Sequence, residues 1–251
     1  MRQKIIDNLN KIKDENNINI IFAIESGSRA WRLSSSDSDY DVRFVFTRPK
    51  DEYLTIEKKK NVINRTISDM DFVGFDIYKF CGLLNASNPS VIEWLESDIV
   101  YYGEKPLELI HIAKNFFNPI ALFHHYRSMS KQNYLKYIKS GDFVSYKKYL
   151  YAMRGLINSK FVEHFGTIPP ISFPETMDLI NKEKLCPDYV VDKLKRIIEL
   201  KKDSREKQIV ENIVRIDQYI ESELNKSTSL LPRKNTLMIK KLNEYILNEL
   251  E

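Results

Sequence analysis

Two short runs, Gly27-Ser28 and Asp39-Tyr40-Asp41, constrain this chain most: ten residues separate them, and apolar sequence flanks the pair on both outer sides. Ile20-Ile21-Phe22-Ala23-Ile24 reads as a buried strand, and the run from Tyr40 to Phe46 reads as a second. Residues i and i+2 of a strand share a face, so Asp39 and Asp41 present two carboxylates side by side. Adjacent carboxylates resist joint ionisation unless a cation lies between them. Hard oxygen ligands at this spacing suit Mg²⁺, with Mn²⁺ the alternative; Mg²⁺ takes one or two carboxylates and completes its shell with substrate phosphates. Gly27 permits a tight turn and a close ligand, and Ser28 offers a hydroxyl. Arg29-Ala30-Trp31-Arg32-Leu33 predicts a short helix whose free N–H groups seat a phosphate. Phosphate on one side and carboxylate-held metal on the other is the layout of a nucleoside-triphosphate site. An exposed Ser/Asp turn explains Ser34-Ser35-Ser36 and Asp37, but not Asp41 between Tyr40 and Val42 at the head of an apolar strand.

The remainder of the chain places this site in an α+β frame. Ile5, Ile6, Leu9 and Ile12 predict an amphipathic helix over 2–16. Strands are expected near 19–25 and 40–47, and again at 61–67 and 70–77 around a Ser68-Asp69 turn, with 51–60 helical or irregular. From Lys79 onward the period is helical, at 79–86, 89–97, 104–116, 119–139, 143–164, 188–202, 205–225 and 233–250. Strands and helices first and helices only later predict a small mixed-sheet domain over 1–103 followed by a helical domain over 104–251. With 251 residues and 43% hydrophobic content the chain can bury a sizeable core. Lys and Arg exceed Asp and Glu by only 39 to 35, a balance that tolerates a polyanionic partner without requiring one. Cys81 and Cys186 lack metal-ligand spacing and read as reduced, buried thiols. No apolar run approaches membrane-spanning length, so no membrane partner is expected and the cytoplasm is the default compartment.

The Gly-Ser, ten-residue gap and Asp-x-Asp resemble the signature of the polymerase-beta nucleotidyltransferase superfamily. The longer wording, Glu25-Ser26-Gly27-Ser28-Arg29-Ala30-Trp31 with Ser38-Asp39-Tyr40-Asp41-Val42-Arg43, is similar to the RNA-ligase-associated predicted nucleotidyltransferases of bacteria and phages. Further echoes are Val73-Gly74-Phe75-Asp76-Ile77-Tyr78-Lys79, Asn88-Pro89 with Glu93-Trp94-Leu95, and the run from Lys147 to Arg154. The likeness spans about residues 20–170, with one departure: Arg32-Leu33 stands where the pattern expects Gly and an aromatic residue. The resemblance implies a polymerase-beta-like domain, a helical domain closing over the nucleotide, and transfer of a nucleoside monophosphate from an NTP, with an RNA end the favoured acceptor.

The superfamily usually adds a third carboxylate from a neighbouring strand. Asp76 is the first choice, embedded between Phe75 and Ile77, with Asp71 the runner-up. Alternation puts them on opposite strand faces, and Gly74 on the Asp76 face is expected to leave room for substrate. The catalytic and metal-binding set is thus Asp39, Asp41 and Asp76. The nucleotide-binding set is Gly27, Ser28 and Arg29, joined by Lys147, Tyr151 and Arg154, which share one helix face at i, i+4 and i+7; Gly155 is expected to permit close approach there. A solvated basic face is the plainer reading of that trio. Arg43 is either a support for the aspartates or a surface ion pair, and Trp31 either a base-stacking platform or core. Glu93 and Trp94 read as packing residues. His124-His125 cannot share one metal on a helix, where they point about 100° apart. A non-catalytic nucleotide sensor or RNA-binding module on a retained transferase fold is the alternative, and three clustered carboxylates argue against it.

Overall fold

The computed structural model describes residues 1–141, 144–203, 209–210, 213–231 and 236–251. The chain opens with α1 (Arg2–Asn16) and β1 (Asn19–Glu25), followed by the single turn α2 (Gly27–Ala30). Next come β2 (Tyr40–Thr47), α3 (Lys50–Tyr53), β3 (Val62–Ile67) and β4 (Met70–Asp76). Helices α4 (Ile77–Asn85) and α5 (Pro89–Glu96), strand β5 (Val100–Gly103) and α6 (Leu107–Phe116) complete this stretch. Beyond it lie α7 (Pro119–Tyr134), which continues as a π-turn over Leu135–Lys139, β6 (Val144–Ser145), α8 (Tyr146–Phe165) and α9 (Phe173–Lys182). Helix α10 (Asp188–Asp203), β7 (Ile209–Val210), α11 (Val214–Leu224) and α12 (Thr236–Glu249) end the chain. The mixed α+β class expected from the sequence is the one observed.

Two compact units form. One holds Met1–Ala30, Asp39–Phe117 and the described residues from 236 on; the other holds Trp31–Ser38 and the described residues from 118 to 231. A division at residue 103 therefore needs correcting. Helix α12 packs on α4 and α6, burying Met238, Leu242, Tyr245 and Ile246, so α6 and the last helix belong with the sheet.

In the sheet unit the strand order is β3-β4-β2-β1-β5. Strands β2 and β4 run parallel and every other pair is antiparallel. Ile5, Leu9 and Ile12 of α1 cover one face, against Val42, Phe44 and Phe46 of β2 and Phe72 of β4. Helices α4 and α5 cover the other face, where Phe80 meets Phe22 edge-on and Trp94 stacks on Phe75 at 4.6 Å. Trp94 is thus a core residue, as its sequence context implied. Local chemistry sets the helix starts. The Asp76 carboxylate accepts from the Tyr78 N–H to cap α4, and Asn88 accepts from Ser90 N–H with Pro89 in the first turn of α5.

In the other unit α8 runs through the core, and Tyr149, Leu150, Met153, Leu156, Ile157 and Phe161 are buried. A β-carbon at Gly155 would lie 2.8 Å from Tyr126 O and 2.9 Å from Ser130 N. This glycine is where α7 closes on α8, so its small size serves helix packing rather than ligand approach. Both cysteines are free and buried. Among the described residues no helix is long and apolar enough to cross a membrane.

Three elements went unanticipated: β5, α9 and the two-residue ladder of β6 with β7. Of the helix expected over 205–225, Val214–Leu224 is helical and Ile209–Val210 is strand; residues 204–208, 211 and 212 lie outside the described residues. Residues 142–143 and 232–235, at the edges of two other expected helices, also lie outside them.

Candidate active site

The sheet unit brings the two sequence runs together. Gly27 adopts φ +60°, and a β-carbon there would stand 1.9 Å from Asp41 Oδ2. Only a residue without a side chain lets the backbone of the Gly-Ser turn lie against that carboxylate. Ser28 is buried in the same turn. Arg29 donates from Nε to the Asp39 carbonyl at 3.2 Å and lays its guanidinium 3.8 Å over the Tyr40 ring, tying α2 to the head of β2. Asp39 itself is exposed and Asp41 half-buried.

The parallel register of β2 with β4 decides which third carboxylate joins them. Asp41 pairs with Asp71, whereas Asp76 pairs with Phe46. Five residues of strand separate Asp71 from Asp76, roughly 17 Å of rise, and an odd step puts them on opposite faces. Asp76 lies on the face that α1 covers, nearly fully buried, with Oδ2 accepting from Tyr53 O–H at 2.9 Å and Oδ1 from Tyr78 N–H at 2.9 Å. Burial raises its carboxyl above the ordinary value, and these two hydrogen bonds pull it back. The choice of Asp76 is therefore corrected: it caps α4 and does not meet Asp39 or Asp41. The room expected beside Gly74 is filled as well, since a β-carbon there would lie 2.2 Å from the Phe44 ring.

Arg43 links the carboxylates that do meet. Its Nη2 lies 2.8 Å from Asp41 Oδ1 and 3.0 Å from Asp71 Oδ2, and its Nη1 donates to the Asp71 carbonyl at 2.8 Å. Of the two readings of Arg43, an ion pair is what is seen, made to both Asp41 and Asp71 and largely sheltered from solvent. Sequence reasoning also passed over Glu25. Its carboxylate, fully buried at the end of β1, accepts from the Asp41 N–H at 2.9 Å through Oε1 and from Tyr101 O–H at 2.5 Å through Oε2. Burial pushes its carboxyl above the usual range, and the bonds from Tyr101 and the Asp41 N–H oppose that shift. Its signal was visible: an acid that ends the apolar run Ile20–Ile24 immediately before the Gly-Ser turn.

Among the described residues no three His, Cys, Asp or Glu side chains converge as a preformed metal centre. The donors that do converge, Asp41 and Asp71 with exposed Asp39 nearby in sequence and a glycine cradle at Asp41 Oδ2, fit Mg²⁺. That ion needs few protein oxygens when phosphates complete its shell.

The other unit gathers the second set. On α8, Lys147 Nζ lies 5.8 Å from the Tyr151 ring centre, and Tyr151 meets Trp31 edge-on at 5.3 Å. Arg154 lies 3.8 Å over the Trp31 ring and is only 3% exposed. This is a packed cation–aromatic cluster rather than a solvated basic face.

Over residues 1–248 the chain matches the RlaP family, described as the RNA repair pathway DNA polymerase beta family. The chain belongs to this family. It is also 35% identical to the uncharacterized protein YcgL of Bacillus subtilis (strain 168), an alignment covering all of this chain and 97% of that relative. A shorter match, 32% identical over 116 residues, is to the uncharacterized protein MJ0002 of Methanocaldococcus jannaschii, covering 44% of this chain and 47% of that one. RlaP proteins are polymerase-beta-type nucleotidyltransferases of RNA repair.

Proposed function

We propose that this protein transfers a nucleoside monophosphate from an NTP to the hydroxyl or phosphate end of an RNA, using Mg²⁺ or Mn²⁺. The observation that carries this reading is the apposition of the Gly27 backbone and the Asp41 carboxylate, with Asp71 in register on the next strand. Asp39 and Asp41 would hold the metal, and Gly27 and Ser28 would orient the phosphates. A bound Mg²⁺ would neutralise the triphosphate and lower the pKa of the attacking hydroxyl. The acceptor oxygen bonds to the α-phosphorus, the bond to the β-phosphate oxygen breaks, and pyrophosphate leaves. Asp71, in place of Asp76, receives the hydroxyl proton. Arg43 holds Asp71 and Asp41 to one geometry, and Glu25 holds the Asp41 backbone. Lys147, Tyr151 and Arg154 form a cluster suited to a nucleobase and its phosphates, with Arg154 setting the pose of Trp31.

The test is label transfer from each α-labelled NTP with Mg²⁺ or Mn²⁺, offering RNA, small metabolites or protein as acceptors. Label should enter RNA. Asp41→Asn should lower transfer at least about 10³-fold, because electrostatic stabilisation worth several kcal/mol is lost, while the circular dichroism spectrum stays unchanged. NTP binding without transfer to any fraction would move the protein to a sensor role. Transfer that survives in Asp41→Asn would remove the metal assignment.

A further inference from the structure

A cavity lined by cationic, hydroxyl and apolar side chains lies wholly within the α7–α11 unit. It has a volume of about 250 Å³ and lies between one side of α7 and the segment that leaves α11. Its α7 wall carries Arg127, Ser128 and Lys131, and its opposite wall carries Lys226, Ser227 and Thr228. Phe123 and Leu224 form an apolar part of its lining.

The charges around this cavity are unequal. Glu223 is buried and already held on both oxygens, Oε2 by Lys160 and Oε1 by Lys226, each at 2.6 Å. Burial opposes its charge, yet the two ammonium groups outweigh burial and keep its carboxyl below the ordinary value. Glu163 spends Oε1 on the Ser229 N–H. Among the described residues, Glu163 and Glu223 are the acids that act on Arg127. Its Nη2 donates to the Glu223 carbonyl at 2.6 Å and to the Lys226 carbonyl at 2.9 Å. That grip fixes the guanidinium on the carbonyls that end α11. Its Nε and Nη1 protons have no acceptor among the described residues. Lys131 is exposed and enters no ion pair among them. A half-buried, immobilised guanidinium, an unpaired ammonium and hydroxyls on both walls are the donor set that recognises phosphate oxygens. The cavity is larger than one phosphate needs, and its apolar lining leaves room for the attached sugar or base.

We infer that this cavity binds a backbone phosphate and its nucleotide in the RNA acceptor. This inference rests on the RNA reading above. It adds a contact that anchors the acceptor without touching the chemistry, since neither Arg127 nor Lys131 belongs to the Asp39–Asp41–Asp71 site.

Anisotropy of a fluorescein-labelled single-stranded RNA oligonucleotide, titrated with the full chain across a salt series, tests it. Lys131→Glu should weaken RNA binding at least about tenfold. Lys131→Ala should lower the slope of log K against log salt by about 0.7, the value for one lost phosphate contact on a single strand. Lys131→Arg should keep wild-type binding. ATP affinity should be unchanged in all three, and the thermal midpoint of the Lys131 variants should match wild type, separating a lost contact from a lost fold. Wild-type RNA affinity in Lys131→Glu overturns the inference and leaves the transferase reading standing. Inorganic phosphate that protects wild type against heat but not Lys131→Glu, with RNA binding equal in both, reassigns the cavity to a small anion and also overturns it. A wild-type chain that binds ATP but no RNA overturns the RNA acceptor itself, and this inference with it.

Discussion

One oxygen of Asp41 occupies the space a β-carbon at position 27 would need, and the same backbone turn carries a second special residue a few positions on. Arg32 adopts φ +61°, a left-handed conformation that costs an L-residue with a β-carbon roughly 1–2 kcal/mol. The position is one where the motif resemblance expects glycine. Around it the chain is pinned: the Trp31 carbonyl accepts from the Phe173 N–H at 3.1 Å, and the Leu33 carbonyl from Lys201. The backbone therefore keeps this conformation whatever the side chain. Arg32 also has interactions of its own, so the informative comparison is between two truncations that both remove them. Arg32→Gly should be more stable than Arg32→Ala by about 1 kcal/mol, because the relieved strain exceeds the roughly 0.4–1 kcal/mol that glycine's extra freedom adds to the unfolded chain. Urea unfolding of the two variants measures it. Equal midpoints would mean that the turn relaxes out of the left-handed region when the arginine is gone.

At the scale of a strand, β4 carries two aspartates with separate tasks. Asp71 faces Arg43 and Asp41, while Asp76 ends the strand by capping α4 and accepting from Tyr53. Asparagine replaces a carboxylate well as a cap but poorly as a base. Asp76→Asn should therefore keep transfer within a few-fold of wild type, and Asp76→Ala should lose about 1–2 kcal/mol of stability. Asp71→Asn should lower transfer about 10²-fold or more with little change in stability. The opposite pattern, transfer lost in Asp76→Asn and kept in Asp71→Asn, would return the third carboxylate to Asp76. The strands themselves were legible because alternation and Gly, Pro or Asp punctuation are local signals: β1, β2 and β4 lie where the pattern put them. The choice between Asp71 and Asp76 was not local. Both sit among apolar neighbours, and only the parallel pairing of β4 with β2, closed across intervening chain, distinguishes them. Helix α9 was missed although Ser172 accepts from the Glu175 N–H with Pro174 in the first turn, a start signal overlooked in favour of the longer periods on either side. The four-residue β5 and the β6–β7 ladder are too short for any periodicity to register.

For the whole molecule, the chain order and the packing order differ. The sheet unit takes its first residues, a middle stretch and its last helix from three separate parts of the sequence, while Trp31–Ser38 is given to the other unit. A linear reading places one boundary where the helices begin, because composition changes there. It cannot show that α12, more than a hundred residues after α6, returns to bury Met238, Leu242, Tyr245 and Ile246 beside α4 and α6. The family match continues to residue 248, as it should if the last helix is part of the catalytic unit's core. Leu242 is 2% exposed, so an aspartate there forfeits roughly 1.5–3 kcal/mol of apolar burial and buries a carboxylate with no designed partner. Leu242→Asp should therefore cost the sheet unit at least about 3 kcal/mol. Trp94, stacked on Phe75 in that unit, reports its unfolding once Trp31 is replaced by phenylalanine. The urea midpoint of Trp94 fluorescence should fall markedly in Leu242→Asp, and ATP binding should weaken in the range where the unit begins to unfold. An unshifted Trp94 midpoint would show that α12 contributes nothing to the sheet unit and would move the catalytic boundary back toward α6.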